Sequence, residues 1–193
     1  QATLTPALAV QPATLRVQGG VVDMISSPVV SPTGDPGDIF GIDIARALQI
    51  VRWDPLTAVY HFYGSATQFP VLTSGSGFWI RPDATRILTL SGSLPNQTQE
   101  ISVPVYAGWN QIGSGFVQPV NWSSVQVRYL GETVSLAVAS QRGWVRDYAW
   151  GYNPASGEYS LVQGASGQLD PYRGYWIRAF VNCELLVQPP VSN

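Results

Sequence analysis

Residues 74–82 read SGSGFWIRP, and residues 171–180 read PYRGYWIRAF. In both, a glycine leads into aromatic-Trp-Ile-Arg. The glycine permits a tight turn or bulge at the entry to a strand. Alternation then sends Trp79 and Trp176 to one face and Ile80 and Ile177 to the other. Working outward, three further blocks recur in the same order. Gly20 corresponds to Gly108 and Met24 to Ile112, and Trp53-Asp54-Pro55 corresponds to Tyr152-Asn153-Pro154. Spacings between blocks differ, so the loops vary while the blocks hold. The pattern is that of a tandem duplication covering roughly 15–92 and 101–188, with SLPNQTQE (93–100) as the join. Residues 1–14 form a leading arm outside it, and the second unit runs on to 193.

The blocks are β-rich. VQVRYL, ILTLSG, EISVPVYA and CELLVQ are short runs bounded by Gly, Pro, Ser or Asn. RWDPLTAVYHFY and GYNPASGEYSLV read as hairpins in which aromatic strands flank an Asx-Pro turn. GIDIARALQIV and TVSLAVASQ are the helical candidates, one per repeat. The expected fold is therefore mainly β: two tandem homologous β-sandwich-like units, each with one short helix, packed with pseudo-two-fold symmetry.

The second half carries Gly108-Trp109-Asn110-Gln111-Ile112-Gly113, then Pro119-Val120-Asn121-Trp122, then Tyr152-Asn153-Pro154-Ala155-Ser156-Gly157-Glu158-Tyr159, then Gly174-Tyr175-Trp176-Ile177-Arg178-Ala179. It resembles a β-domain of secreted and cell-surface bacterial proteins, with the pattern G-W-N-x-I-G, P-V-x-W, Y-x-P-x-x-G-x-Y, G-Y-W-[IV]-R-A. The first half departs from it: Gly20-Val21-Val22-Asp23-Met24 lacks the Trp-Asn pair, and no Trp follows Pro28. The resemblance implies an extracellular, non-catalytic accessory module. It names no ligand.

Composition narrows the function classes. Apolar residues make up 45% of the 193 and charged residues only 11%, which excludes a disordered chain and a basic nucleic-acid binder. A net charge of −2 gives no pull toward nucleic acid or an anionic membrane. No run approaches the roughly 20 apolar residues of a membrane-spanning helix. All ten basic residues are arginine. The chain begins at Gln1, which fits signal-peptide removal and an extracellular or cell-surface location.

Residues suited to catalysis are sparse. Cys183 follows an apolar run and reads as a small buried hydrophobe. His61, the only histidine, lies in a strand without a recognisable nucleophile. Asp35, Asp38 and Asp43 are close in sequence but lack EF-hand spacing, so they read as a solvated loop rather than a Ca²⁺ site. Neither Gly-x-Ser-x-Gly nor a paired-carboxylate signature is present. The expectation is no enzyme, no cofactor and no metal. Asn96 and Asn121 head Asn-x-Ser/Thr sequons that a suitable host would glycosylate.

Seven tryptophans and nine tyrosines raise glycan stacking as an alternative. Trp53, Trp79, Trp109, Trp150 and Trp176 recur at block positions and are expected in the core. Trp122 and Trp144 are then the candidates for an exposed sugar-binding surface.

The arm carries the leading expectation. Leu4, Pro6, Leu8 and Val10 share one face of an extended chain, opposite Thr3, Thr5, Ala7 and Ala9. Pro6 and Pro12 cannot donate to a ladder, so the segment suits an edge or one-sided pairing. It reads as an edge strand on its own domain, a disordered tail, or a strand donated to a neighbouring subunit. Donation is heterologous and propagates as an open polymer. The expected function is a self-assembling structural protein, a filament or surface-layer subunit whose partners are copies of itself. The alternative is a carbohydrate-binding or adhesion module.

Overall fold

Short alternating runs between glycine and proline breakers set the strands of this chain. The computed structural model describes residues 13–190. The first half contains β1 (Thr14–Val17), β2 (Asp23–Ser26), α1 (Pro36–Phe40), α2 (Ile42–Ala47), β3 (Val51–Asp54), β4 (Val59–Phe62), β5 (Gly77–Ile80) and β6 (Arg86–Thr89). The second begins with β7 (Ile101–Val105), β8 (Gly108–Ile112), β9 (Val120–Asn121) and a 3₁₀ turn at Trp122–Ser124. It continues with β10 (Gln126–Tyr129), β11 (Glu132–Ser135), α3 (Leu136–Gln141) and β12 (Tyr148–Asn153). It ends with β13 (Glu158–Gln163), β14 (Gln168–Leu169), β15 (Tyr175–Ala179) and β16 (Cys183–Val187). The fold is mainly β, with antiparallel sheets and three short helices.

Each half owns a four-stranded sheet, in the order β2-β5-β3-β4 and β8-β15-β12-β13. The Trp-Ile-Arg strand is internal in both, beside the Asx-Pro hairpin. Registers also correspond: Trp53 faces Tyr60 as Tyr152 faces Tyr159, and Val51 faces Trp79 as Trp150 faces Trp176. At the first block the correspondence shifts by one residue from the sequence reading. Ile25 faces Phe78 as Ile112 faces Tyr175, so Ile25, not Met24, is the counterpart of Ile112. The side chain that joins the first-half core sets the register there: Ile25 joins it, whereas Met24, also fully buried, packs against Gly174 and Gln111 of the other half.

A second sheet backs each of these, and here the halves differ. The second half has β11-β10-β16-β7, whereas among the described residues the first has β1-β6 alone. Two cores result. One gathers Ile25, Ile39, Leu48, Phe78, Ile80 and Leu88. The other gathers Phe116, Trp122, Val127, Leu169, Ile177 and Leu185. Burying each large apolar side chain contributes roughly 1.5–3 kcal/mol, so each half has its own source of stability.

One helix per repeat is corrected for the first half, which has α1 and α2 in succession. Asp35 caps α1 by accepting the Gly37 N–H at 2.6 Å, and Pro36 opens it. Gly41, at φ 84°, breaks the helix before α2 starts. Asp35 also accepts the Tyr63 hydroxyl, and Asp38 the Thr33 hydroxyl. The carboxylates read as a solvated loop thus secure a helix start.

The halves are joined where their strands end. The Ser26 N–H donates to the Tyr172 carbonyl at 2.9 Å, and the Gly113 N–H to the Gly75 carbonyl at 2.7 Å. Gly174 N–H donates to the Met24 carbonyl at 2.9 Å. The segment before each Trp-Ile-Arg strand therefore bonds to the other half. A Cβ at Gly77 would lie 2.7 Å from the Ile112 carbonyl oxygen. One at Gly174 would lie 2.6 Å from Met24 Cγ and 2.8 Å from the Ile25 carbonyl oxygen. These two glycines serve close backbone approach rather than the turn or bulge expected from the sequence. Gly174→Ala is accordingly expected to destabilise by about 1–3 kcal/mol, which lowers the thermal midpoint by roughly 2–4 °C per kcal/mol at this chain length. An unchanged calorimetric midpoint would show that the junction yields freely.

Candidate functional site

Alternation along the four-stranded sheets decides which aromatics are enclosed. Along β12, Ala149 and Gly151 are buried while Tyr148, Trp150 and Tyr152 face the other way and remain partly open. Along β15, Tyr175, Ile177 and Ala179 are buried, with Trp176 and Arg178 opposite. Trp53, Trp79, Trp150 and Trp176 are half-buried, and Trp109 is 38% exposed. The expectation that these five tryptophans form the core is therefore corrected. The inward positions are taken by Ile, Val, Leu, Ala and Tyr175, and the tryptophans occupy the opposite face.

Edge-to-face contacts connect that face across the two halves. Trp79 meets Tyr152 at 5.0 Å between ring centroids, and Trp53 meets Trp176 at 6.2 Å. These pairs are counterparts: in each, a Trp-Ile-Arg tryptophan contacts the hairpin aromatic of the other half. Trp109 lies 6.3 Å from Trp176, and Trp53 5.0 Å from Tyr60. Two hydrogen bonds fix the meeting of the sheets: Trp53 N–H donates to Gln111 Oε1, and Trp53 Nε1–H to the Trp109 carbonyl, each at 2.8 Å. The outcome is an open groove of about 340 Å³ lined by Tyr60, Trp109, Trp150, Tyr159 and Trp176. Tyr60 and Tyr159, themselves counterparts, are 43% and 49% exposed at its rim. Burial pushes the Tyr60 phenol above its ordinary pKa, and the neighbouring Tyr159 adds to that.

The sequence candidates for stacking fall elsewhere. Trp122 is fully buried, its Nε1–H donating to the Asp147 carbonyl at 2.8 Å, so it is a core residue and presents no face to a sugar. It starts a 3₁₀ turn, capped by Asn121, that points it inward. Trp144 is half-buried against Tyr129, with the Arg142 guanidinium 5.1 Å from its ring centroid. It stands apart from the groove. Leu4, Pro6, Leu8 and Val10 lie outside the described residues.

A second groove, about 240 Å³, runs between the halves past Arg52, Asp54, Tyr106, Asn110 and Gln111. Its polar groups are engaged within the fold. Asn110 accepts the Tyr106 N–H and donates to the Tyr106 carbonyl, and the Arg52 guanidinium donates to the Val71 carbonyl. Burial pulls Arg52 down to about 10, against the attraction of Asp54 and Tyr106, which leaves it charged at neutral pH. His61 Nε2 lies 3.8 Å from Asp54 Oδ2, beyond hydrogen-bond distance. Cys183 is buried, and burial followed by the adjacent Glu184 pushes its thiol up to about 11, away from the nucleophilic thiolate. Among the described residues no three His, Cys, Asp or Glu side chains gather as a metal site, and no helix is long and apolar enough to cross a membrane. Exposed Asn96 and Asn121 accept bonds from Thr98 and Ser123 within their own sequons.

The arrangement of the aromatic groove offers stacking and apolar contact. A double-mutant cycle on Trp79 and Tyr152, read by urea unfolding, is expected to give a coupling of about 0.5–1.5 kcal/mol; zero coupling would remove this pair from the forces that hold the halves together. No protein-family description, curated protein or solved structure matches the chain.

Proposed function

We propose that this chain is a non-enzymatic, extracellular structural subunit that assembles with copies of itself through its N-terminal arm. One observation carries the reading: among the described residues, the β1–β6 sheet of the first half has two strands where its counterpart has four. A sheet short of strands accepts an extended segment, which gains main-chain hydrogen bonds and buries alternate side chains. The arm has the required pattern, with Leu4, Pro6, Leu8 and Val10 on one face. The assembly would be a filament or surface layer, because donor and acceptor are different surfaces of each subunit and the contact does not close on itself.

The aromatic groove supports a second reading, a carbohydrate-binding or adhesion module. Flat ring faces at Trp109, Trp150 and Trp176 would stack on pyranose rings, with the Tyr60 and Tyr159 hydroxyls as polar contacts at the rim. Both readings are compatible with an extracellular location.

Removing residues 1–12 separates them. The truncated chain is expected to stay folded by circular dichroism and to be monomeric by light scattering, while the full chain forms polymers visible by electron microscopy. Polymers of undiminished length from the truncation would refute assembly through the arm. For the second reading, titration with a panel of polysaccharides is expected to change tryptophan fluorescence in the full chain and not in Trp109→Ala; a flat response from both would retire it.

A further inference from the structure

We infer that the acceptor of the arm is the outer edge of β6 at Ile87 and Thr89, and that the arm comes from a second copy of the chain. This rests on the proposal above that the arm is donated, and it names the surface that receives it.

In the second half, β16 is flanked by β7 on one side and by β10 on the other. Its counterpart β6 is flanked by β1 alone among the described residues. The Leu90 N–H donates to the Ala13 carbonyl at 2.9 Å, toward β1. Backbone groups alternate in direction along a strand, so Leu88 also bonds toward β1, while the N–H and C=O groups of Ile87 and Thr89 point the other way. Ser91 has the same outward direction, and its N–H is taken by the Ile39 carbonyl at the end of α1. The chain that follows is held as well, by reciprocal bonds between Ser93 and Val30. The open length of edge thus ends at Thr89. Ile87 is 71% exposed and Thr89 is exposed, while Leu88 and Leu90 on the opposite face belong to the core.

The arm matches this edge in two ways. In an extended segment, the N–H groups of residues 3, 5, 7 and 9 point to one side and those of residues 4, 6, 8, 10 and 12 to the other. Pro6 and Pro12 both fall in the second set. One side of the arm therefore has an unbroken row of donors at Thr3, Thr5, Ala7 and Ala9, and the other is interrupted. Such a strand pairs on one side and resists a further neighbour. Its apolar face, Leu4, Leu8 and Val10, then continues the core face of Leu88 and Leu90, and small residues lie alongside Ile87 and Thr89.

Chain geometry favours a second copy as the source. The described chain begins at Ala13, just before β1, which flanks β6 on the side away from the open edge. To reach the open edge the subunit's own arm must cross two strand spacings, about 4.8 Å each. With Val10 in the added strand, only residues 11–13 remain, which span at most about 10 Å fully extended. Residues just beyond β6 are themselves bonded, Ser91 to Ile39 and Ser93 to Val30, so a connection this short would have to pass around them.

The test uses Thr89→Pro in the full chain. Proline removes an outward N–H without touching a bond to β1. This variant is expected to lose polymerisation while retaining its arm, and to form a one-to-one complex, by native mass spectrometry, with a chain lacking residues 1–12. That second chain has an acceptor edge and no donor. Polymers from Thr89→Pro equal to those of the unaltered chain, with none from the arm deletion, would overturn the β6 assignment and leave arm donation standing. Polymers from the arm deletion, or an unaltered chain that never polymerises, would instead sink the underlying reading. Should Thr89→Pro not fold, the arm-deleted chain is mixed with a synthetic peptide of residues 1–13. Hydrogen exchange at the Ile87 and Thr89 amides is expected to slow at least tenfold; no protection there would overturn the assignment.

Discussion

The contact on which this molecule depends is backbone against backbone at Gly77 and Gly174. Gly77 opens the central strand of one half and Gly174 immediately precedes that of the other, and each lies against the first-block strand of the opposite half, Ile112 in one case, Met24 and Ile25 in the other. Nothing larger fits. Once the chains are that close, the hydrogen bonds Ser26 to Tyr172 and Gly113 to Gly75 can form. Those bonds fix how the two sheets meet, and the meeting sets which aromatic rings touch. Trp79 against Tyr152 and Trp53 against Trp176 are consequences of that approach. The repeated Gly-aromatic-Trp-Ile-Arg segment thus combines a fixed point for the partner half, an inward isoleucine and an outward tryptophan.

Much of this was legible in the sequence. Both hairpins, the Trp-Ile-Arg strands, the buried Cys183 and the strands at 101–105 and 183–187 follow from alternation between strong breakers, and the structure places them there. Long-range consequences were less legible. The role of Gly77 depends on Ile112, 35 residues on, and that of Gly174 on Met24, 150 residues back, which no local pattern encodes. The two-residue strands β9 and β14 are too short for any period to register. α1 was missed because five residues make little more than one turn, although Asp35-Pro36 is a helix-start signal.

The aromatics are the instructive failure. Their assignment to the core rested on size, on the ground that a fold needs large side chains inside. Alternation already said otherwise: with Ile80 and Ile177 inward, Trp79 and Trp176 must face out. The period-2 rule is local geometry and overrides the average tendency of tryptophan to be buried. Trp122 errs in the opposite direction for a related reason. It lies in a 3₁₀ turn, where no strand period applies, and its orientation follows from the Asn121 cap and the Asp147 carbonyl.

The difference between the halves bears most directly on the proposed function. Two identical units would each complete both of their sheets, and the molecule would present only ordinary edges. Instead the second half devotes residues 126–135 to β10 and β11, whereas in the first half the corresponding connection holds α1, whose Ile39 carbonyl engages Ser91 beyond the end of β6. The hairpin extends a sheet; the helix stops at its corner. The sheet that has two strands among the described residues, and the sequence of the arm, therefore belong to the same half. On the reading proposed above, such a subunit would carry a donor and an acceptor that it does not join within itself. Under that proposal, addition of one copy would leave a new acceptor at one end and a new donor at the other, so growth would be directional and limited by the supply of subunits.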